Sequence, residues 1–156
     1  MTSFNELTIR WGNREVLRDE WLSALRAETY PKGKNCLQRD GRFCVLGVLC
    51  EVAGIEAQHE IMPERLARLS RGGNLVMYDG SSHALPRHLA LFMNMETCGE
   101  FRKPIEVAIS LVPRRMLLDV GSISSVNDMT DLSFPQIADV IERHWDQLMT
   151  YGEANK

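Results

Sequence analysis

The chain has 156 residues, 44% of them hydrophobic and 25% charged, and a formal net charge of −3 at pH 7. A chain of this size and composition needs neither disulfides nor metal to fold as one domain. The negative charge argues against nucleic-acid binding through a broad basic face. No apolar run approaches the ~20 residues that cross a bilayer, so a membrane is not an expected partner either.

The N-terminus mixes charges of both signs and lacks the apolar stretch of a signal peptide, which predicts a cytoplasmic protein. Cytoplasmic thiols are kept reduced, so we expect the four cysteines to be free. They are Cys36, Cys44, Cys50 and Cys98. The sequence has no C-x-x-C or H-x-x-x-H pair, no glycine-rich phosphate loop and no nucleophile elbow. We therefore expect no metal and no cofactor.

The first predicted helix has Asn13 as its N-cap and is ended by Pro31 and Gly33. A loop follows, with Asp40-Gly41 as its turn. The run RFCVLGVLCEVAG, residues 42–54, is apolar on nearly every side, which predicts a helix buried on most of its faces.

Four residues of this run have predicted places in the buried helix. Cys44 lies at its start and Cys50 lies inside it. Gly54 stands where a left-handed cap is usual. Gly47, in the middle of the helix, predicts that another element approaches closely there, because glycine otherwise costs up to ~1 kcal/mol relative to alanine.

Three elements are predicted in the middle of the chain. Residues 62–70 have the pattern of a short amphipathic helix with Pro63 in its first turn. Residues 74–86 are predicted to form a β-hairpin with a two-residue turn at Asp79-Gly80. Pro86 then opens a helix that runs to about Met95.

The last third combines β-rich and helical patterns. Residues 105–121 hold two β-rich runs split at 113–115, which predict a second hairpin. Residues 122–131 are predicted to form a short helix ending in a turn at Asn127-Asp128. Ser133 and Gln136 form the S-x-x-Q capping box of a final helix.

This order of elements predicts an α+β fold in which helices predominate, with one or two short β-hairpins. No repeat, linker or low-complexity tract divides the sequence. We expect residues 1–156 to form a single globular domain, with about ten N-terminal and about six C-terminal residues loose.

Cys44 is a candidate nucleophile because a thiol at a helix N-terminus has a lowered pKa. Such a thiol needs a base, and we name His83, with His88 and His144 as alternatives. Asn127 or Asp128 would orient that base. The other interpretation is that Cys44 and Cys50 pack as small apolar side chains in the core.

Candidate binding residues lie at the two predicted turns, because binding residues often lie on exposed loops. They are Tyr78, Asp79, Ser81, Ser82, His83, Arg114 and Arg115. The alternative is that Asp79 and Gly80 serve the turn alone and that the two arginines are a solvated face. Asn127, Asp128 and Asp131 could likewise bind a cation or an amine, or serve as turn residues.

Three segments resemble, in order, a family of small uncharacterised proteins of phages, prophages and other bacterial mobile elements. They are WLSALRAETYPKGKNCLQRDGRFCVLGVLCEVAG, YDGSSHALP and SISSVNDMTDLSFPQIADVIE. The resemblance covers Trp21 to about Glu142. Its markers are a G-x-F-C-x-L-G-V-L-C helix and a terminal N-D…S-F-x-x-I-A-D-x-I-E motif. Segments 55–73 and 100–120 look like additions relative to shorter members.

Family members often have two adjacent cysteines where this chain has Cys44-Val45, and this departure argues against a two-thiol mechanism. The resemblance implies a setting, the cytoplasm of a bacterial host, and no mechanism. It favours a partner that is a host or phage protein.

Three functional hypotheses follow. The first is a non-enzymatic accessory protein that binds a host or phage protein, for example to interfere with host defence or regulation. Its surface would be the 78–83 turn plus one of the added segments. The second is a thiol-dependent hydrolase or transferase that uses Cys44. The third is a small-ligand or nucleotide sensor that uses Asn127, Asp128 and nearby arginines. The oligomeric state stays open, with a homodimer among the arrangements.

Overall fold

The computed structural model describes residues 2–59, 74–111 and 114–155. The helices in these ranges are α1 (Phe4–Trp11), α2 (Arg14–Arg26), α3 (Val45–Ala53), α4 (Arg87–Met93), α5 (Ile123–Met129) and α6 (Phe134–Arg143). The strands there are β1 (Gln38–Arg39), β2 (Arg42–Phe43), β3 (Ala57–His59), β4 (Leu75–Tyr78), β5 (Glu100–Leu111) and β6 (Arg114–Ser122). Short 3-10 turns cover Trp145–Gln147 and Glu153–Asn155.

Helix boundaries follow local capping chemistry. The Asn13 side chain accepts a hydrogen bond from the Val16 N–H, as the N-cap prediction for α2 requires. The predicted capping box of Ser133 and Gln136 opens α6. The sequence analysis placed no helix before Asn13, whereas a second capping box at Ser3 begins α1.

Helix α3 lies at the centre of the core, as its all-round apolar sequence predicts. Its residues 45–50 are all buried, and α2 and α5 pack against it. The Trp21 indole N–H on α2 donates to the Val45 carbonyl at 2.9 Å, which satisfies a polar group that water cannot reach. Gly54 ends the helix in the left-handed region at φ 80°, confirming the predicted cap.

One sheet has four antiparallel strands in the order β2-β1-β4-β3. Its first two strands are joined at Asp40-Gly41, which the sequence analysis had identified only as a turn within a loop. The Asp79-Gly80 turn is closed by a single bridge between Tyr78 and Ser81. The predicted 74–86 hairpin therefore has one strand, β4, and this strand pairs with β1 and β3 instead of a returning arm.

The second sheet is an antiparallel ribbon of β5 and β6, 12 and 9 residues long. Pairing runs from Ile105 opposite Val120 to Leu111 opposite Arg114, with an irregularity between Glu100 and Ile105. The predicted second hairpin is confirmed here, but Arg114 and Arg115, which were predicted in its turn, belong to β6. The prediction that helices dominate is wrong, because two antiparallel sheets make the described fold a mixed α+β one.

The ribbon is packed at its base and exposed further out. Ile105, Val107 and Val120 are at most 5% exposed, whereas Met116 is 47% and Leu117 is 66% exposed. An isolated two-stranded ribbon is marginally stable in water, so the stability of the outer part, around Met116 and Leu117, depends on contacts with other elements or molecules.

The helix predicted at 62–70 lies outside the described residues, as does most of the 55–73 segment. Within the described residues, no helix has the length and apolar character needed to cross a membrane.

The core position of Cys50 leads to a stability prediction. Cys50 is 0% exposed. Cys50→Ser would bury a hydroxyl in an apolar environment, so we expect a loss of about 1–3 kcal/mol of unfolding free energy. Urea unfolding measures the loss. Cys98→Ser is the matched control, since Cys98 is only partly buried. Equal midpoints for Cys50→Ser and wild type would contradict the assignment.

Candidate functional site

Cys44 is the N-cap of α3, as predicted, but its thiol is inaccessible. The side chain is 6% exposed, and its Sγ accepts a hydrogen bond from the Gly47 N–H at 3.3 Å. Burial raises the pKa of the Cys44 thiol to about 12, and the two helix N–H hydrogen bonds that lower it only partly offset this. The helix terminus therefore does not yield a thiolate at neutral pH.

None of the candidate bases is hydrogen-bonded to Cys44 within the described part of the chain. His83 is exposed, and its Nδ1 lies 2.6 Å from the Ser82 hydroxyl. His144 lies at the end of α6, where its ring meets Phe101 edge-on. The structure thus does not bring together the predicted pair of thiol and base.

The high pKa of Cys44 predicts a loss of stability at alkaline pH. The folded thiol stays protonated up to about pH 12, whereas an unfolded one ionises near pH 9. This stabilisation is fully present below pH 9 and is lost as the pH rises from about 9 to about 12. The unfolding free energy, measured by urea titration at a series of pH values, should fall less steeply above pH 9 for Cys44→Ala than for wild type. Parallel pH profiles would contradict the assignment.

Asn127 is buried at 0% exposure and joins two distant segments. Its Oδ1 accepts from the Val45 N–H at 3.1 Å, and its Nδ2 donates to the Gly33 carbonyl at 3.0 Å. Asp128 Oδ1 accepts from Asn127 Nδ2 and from the Asn35 N–H, both at 2.9 Å. These atoms are used inside the fold, so Asn127 has no free group for a base or a ligand.

Both residues lie in the last turn of α5, which runs to Met129, and not in a turn after it. Sequence reasoning missed this role because the partners of Asn127 are more than 80 residues away. One local signal was present. Residues 122–131 were predicted to form a short helix, and Asn127 lies on that helix next to Val126, which is buried.

A groove, here called the β5 groove, lies beside helix α6, with β5 opposite the helix over two of its cavities and residues 28–34 at its other end. Three adjoining cavities of about 400, 470 and 240 Å³ form it, and Leu132 lines all three. The residues that define the groove are Tyr30, Lys32, Lys34, Glu106, Ala108, Ser110, Arg115, Asp131, Leu132, Gln136, Asp139, Val140 and His144.

The first cavity is the polar end of the β5 groove. Lys32 Nζ donates to the Asn127 carbonyl at 3.3 Å, and burial lowers the pKa of the Lys32 ammonium. Lys34 Nζ lies 3.7 Å from Asp131 Oδ1. Both cations already have an oxygen partner, so they form a wall of the groove and not a ready anion site.

The far end of the groove carries a neutral histidine. Burial, and secondarily the neighbouring Arg143, lower the pKa of His144 below its ordinary value, so the ring is uncharged at pH 7. Its Nδ1 is buried and has no hydrogen-bond partner among the described residues. This end of the groove therefore offers an uncharged ring beside the partly buried Val140.

Among the described residues, the outer edge of β5 has no strand beside it along the groove. The bridge between Phe101 and Leu148 covers only the start of this edge. In the described part of the chain, residues 106–110 pair with β6 alone and have no strand on the other side. Backbone N–H and C=O groups on such an edge can pair with an added strand.

The predicted turn residues divide between core and surface. Tyr78 is 0% exposed, and its hydroxyl lies 2.7 Å from Glu51 Oε1 and 2.6 Å from Gln38 Oε1. The expectation that Tyr78 lies on an exposed turn is therefore wrong. The local sequence carries no clear signal of this burial, because Leu75, Val76 and Met77 are all apolar; it is in the folded strand that burial alternates, with Val76 and Tyr78 facing the core.

The other turn residues stay near the surface. Asp79, Ser81 and Ser82 are partly buried and His83 is exposed. The Ser82 carbonyl accepts from the Leu37 N–H at 2.7 Å, so the turn also holds the segment before β1. Arg114 and Arg115 are exposed at the start of β6, remote in sequence from this turn.

A family model described as a domain of unknown function (DUF8296) matches residues 13–145. The chain belongs to this family. The match extends over the whole of the Trp21–Glu142 region that carries the sequence resemblance, while the phage or mobile-element setting stays a prediction. No curated protein and no solved structure matches the chain. For this DUF8296 member, function has to be argued from the geometry.

Proposed function

We propose that this protein is a non-enzymatic binding protein that takes an extended segment of a partner protein into the β5 groove. The observation that carries the proposal is the open edge of β5 over residues 106–110, bordered by cavities. In the setting that the sequence resemblance implies, the partner is a host or phage protein.

The chemistry of the groove suits a peptide added as a third strand. Main-chain hydrogen bonds to the β5 edge would supply affinity, and alternate side chains would enter the cavities beside Leu132 and Val140. Asp131 and Asp139 on one wall and Arg115 on the other give the groove polar groups that favour one direction of the added strand. This is a different surface from the 78–83 turn that the sequence indicated.

The thiol-enzyme hypothesis ranks below the binding protein because Cys44 is a poor nucleophile in its environment. The thiol is buried and its pKa is raised to about 12. A nucleophilic cysteine needs a thiolate in reach of substrate. The sensor hypothesis is weakened in a similar way, since the polar atoms of Asn127 are occupied by Val45, Gly33 and Asp128.

Capture from a bacterial lysate tests the proposal when a groove variant and a matched surface variant are compared. Ala108 is exposed and lines the groove, so Ala108→Trp fills it without touching the core, and tryptophan suits a strand. Ser23→Trp places the same side chain on the exposed side of α2. Circular dichroism establishes that both variants fold.

We expect one stoichiometric partner to be retained by wild type, Ser23→Trp and Cys44→Ala and to be lost from Ala108→Trp. Retention of the same partner by Ala108→Trp would overturn the groove as its site. Loss from Cys44→Ala, with the fold intact, would instead favour the thiol-dependent hypothesis.

A further inference from the structure

We propose that two copies of this chain associate through the free edge of β6, which pairs antiparallel with itself about a two-fold axis at Leu117. The result is a continuous four-stranded sheet in the order β5-β6-β6-β5. The inference does not require the proposed function, since it uses the opposite edge of the ribbon. The two share Arg115, which also lines one cavity of the β5 groove, so Asp119→Arg, which lies outside the groove lining, is the variant that separates them.

The edge of β6 is available for this pairing. In the described residues, β5 is its only strand neighbour. A two-stranded ribbon is marginally stable, and four strands remove that weakness by pairing the exposed backbone groups of β6.

The solvent face of the ribbon has an unusual arrangement at its middle. Arg115, Leu117 and Asp119 share one face of β6, because side chains alternate along a strand. All three are exposed, and Leu117, the apolar residue among them, is 66% exposed. Their partners on β5, Ser110, Ala108 and Glu106, are exposed too, so nothing in the described chain covers this leucine.

A two-fold axis at Leu117 converts this arrangement into a self-complementary one. It places Leu117 opposite Leu117 of the second copy, at the close cross-strand distance of about 5 Å at which side chains bury each other. It places Arg115 opposite Asp119 of the second copy, and the same pair recurs by symmetry on the other side of the axis. Two opposite-charge pairs thus flank one apolar contact.

The other face of β6 fits the same register. Met116, 47% exposed, comes opposite Leu118 of the second copy, which is partly buried. In the described chain neither Arg115 nor Asp119 has an ion-pair partner within 4.0 Å, so pairing would not break an existing bridge.

Neighbouring registers lack this match. An axis at Leu118 places Arg115 opposite Gly121 and Asp119 opposite Leu117. An axis at Met116 places Arg115 opposite Leu117. Charge complementarity therefore selects Leu117 as the centre, since symmetric antiparallel pairing always sets a residue opposite itself at the axis.

Charge reversal with rescue tests the proposal. We expect wild type to show a concentration-dependent monomer–dimer equilibrium by light scattering between about 1 and about 200 µM. Arg115→Asp and Asp119→Arg each set like charges opposite one another twice, so each should weaken the dimer about tenfold or more. The double variant restores opposite charges and should return to within about threefold of wild type.

Arg114→Asp is the matched control. It makes the same change of charge one residue away, on the other face and opposite Val120 of the second copy, so it should change the dissociation constant by less than about threefold. A wild-type protein that is monomeric at every concentration would overturn the proposal. So would a double variant as weak as the two single variants.

Cysteine cross-linking tests the register separately. Leu117→Cys sets the same thiol on both sides of the axis and should give a disulfide-linked dimer on mild oxidation. Met116→Cys should not, because it lies opposite Leu118 of the second copy. Cross-linking of Met116→Cys in preference to Leu117→Cys would overturn the register.

Discussion

Replacing Gly47 with alanine is expected to cost about 3 kcal/mol or more of unfolding free energy, despite the better helix propensity of alanine. A Cβ at this position would lie 2.7 Å from the Leu37 carbonyl carbon, and it would be closer still to the carbonyl oxygen. No real Cβ occupies such a position, so either α3 or the segment around Leu37 has to move.

Leu37 has little freedom to move. Its side chain is 0% exposed, its N–H donates to the Ser82 carbonyl at 2.7 Å, and its carbonyl accepts from the Cys44 N–H at 3.1 Å. Shifting it would break hydrogen bonds on both sides of the residue at once. Urea unfolding monitored by tryptophan fluorescence gives the loss directly.

Gly121→Ala is the matched control for Gly47→Ala. Gly121 is exposed on β6, and a Cβ there meets nothing within 4 Å. We expect its unfolding free energy to stay within about 1 kcal/mol of wild type. A Gly47→Ala midpoint equal to that of Gly121→Ala would contradict the close crossing of α3 and the Leu37 segment.

The helices could be predicted where two local signals agree. At α2 and α6 an N-cap side chain precedes an apolar stripe, and at α3 an all-round apolar run ends in Gly54. Helix α1 was missed although Ser3 and Glu6 form a capping box. Its stripe is weak: of its residues only Leu7 is buried, and Ile9 is 86% exposed.

The sheets were harder to predict because their pairing is non-local. Strands β1 and β2 have two residues each, which is too short for an alternating pattern. At Asp79-Gly80 the turn was correct, but β4 pairs with β1 and β3, which the sequence around the turn does not reveal. The start of β5 was predicted at residue 105 and lies at Glu100, because Arg102, Lys103 and Pro104 interrupt the apolar pattern there.

The candidate site could be predicted only where it depends on local sequence. Cys44 at the start of α3 follows from local sequence, and so does its alternative role in the core. The β5 groove does not, because it is formed by β5, α6 and residues 28–34, which meet only in the folded chain. Of the predicted binding residues in the described chain, Arg115 and Asp131 line it.

Asn127→Ala is the second change for which we expect a large effect. Asn127 supplies the acceptor for the Val45 N–H, one of the helix N–H groups that have no partner within α3 itself. It also supplies the donor for the Gly33 carbonyl. Alanine leaves both groups without these partners, in a region where Val45 is 0% exposed. We expect a loss of about 2–4 kcal/mol, because the buried Val45 N–H and the partly buried Gly33 carbonyl both lose their partner.

Asp128→Asn is the matched control, since the amide oxygen can still accept from the Asn35 N–H and from Asn127 Nδ2. It should stay within about 1 kcal/mol of wild type in the same urea titration. Equal stabilities for Asn127→Ala and Asp128→Asn would contradict the role assigned to Asn127.

The effect of Asn127→Ala should reach the β5 groove as well. Asn127 holds Gly33 and Asp128 holds Asn35. Gly33 lies between Lys32 and Lys34, the two lysines that line the first cavity, and Asn35 follows them. Releasing Gly33 therefore loosens one wall of the groove. We expect amide hydrogen exchange to rise at residues 32–35 in Asn127→Ala under conditions where α2 stays protected. Unchanged exchange there would mean that the wall is held by other contacts, and that Asn127 stabilises α3 alone.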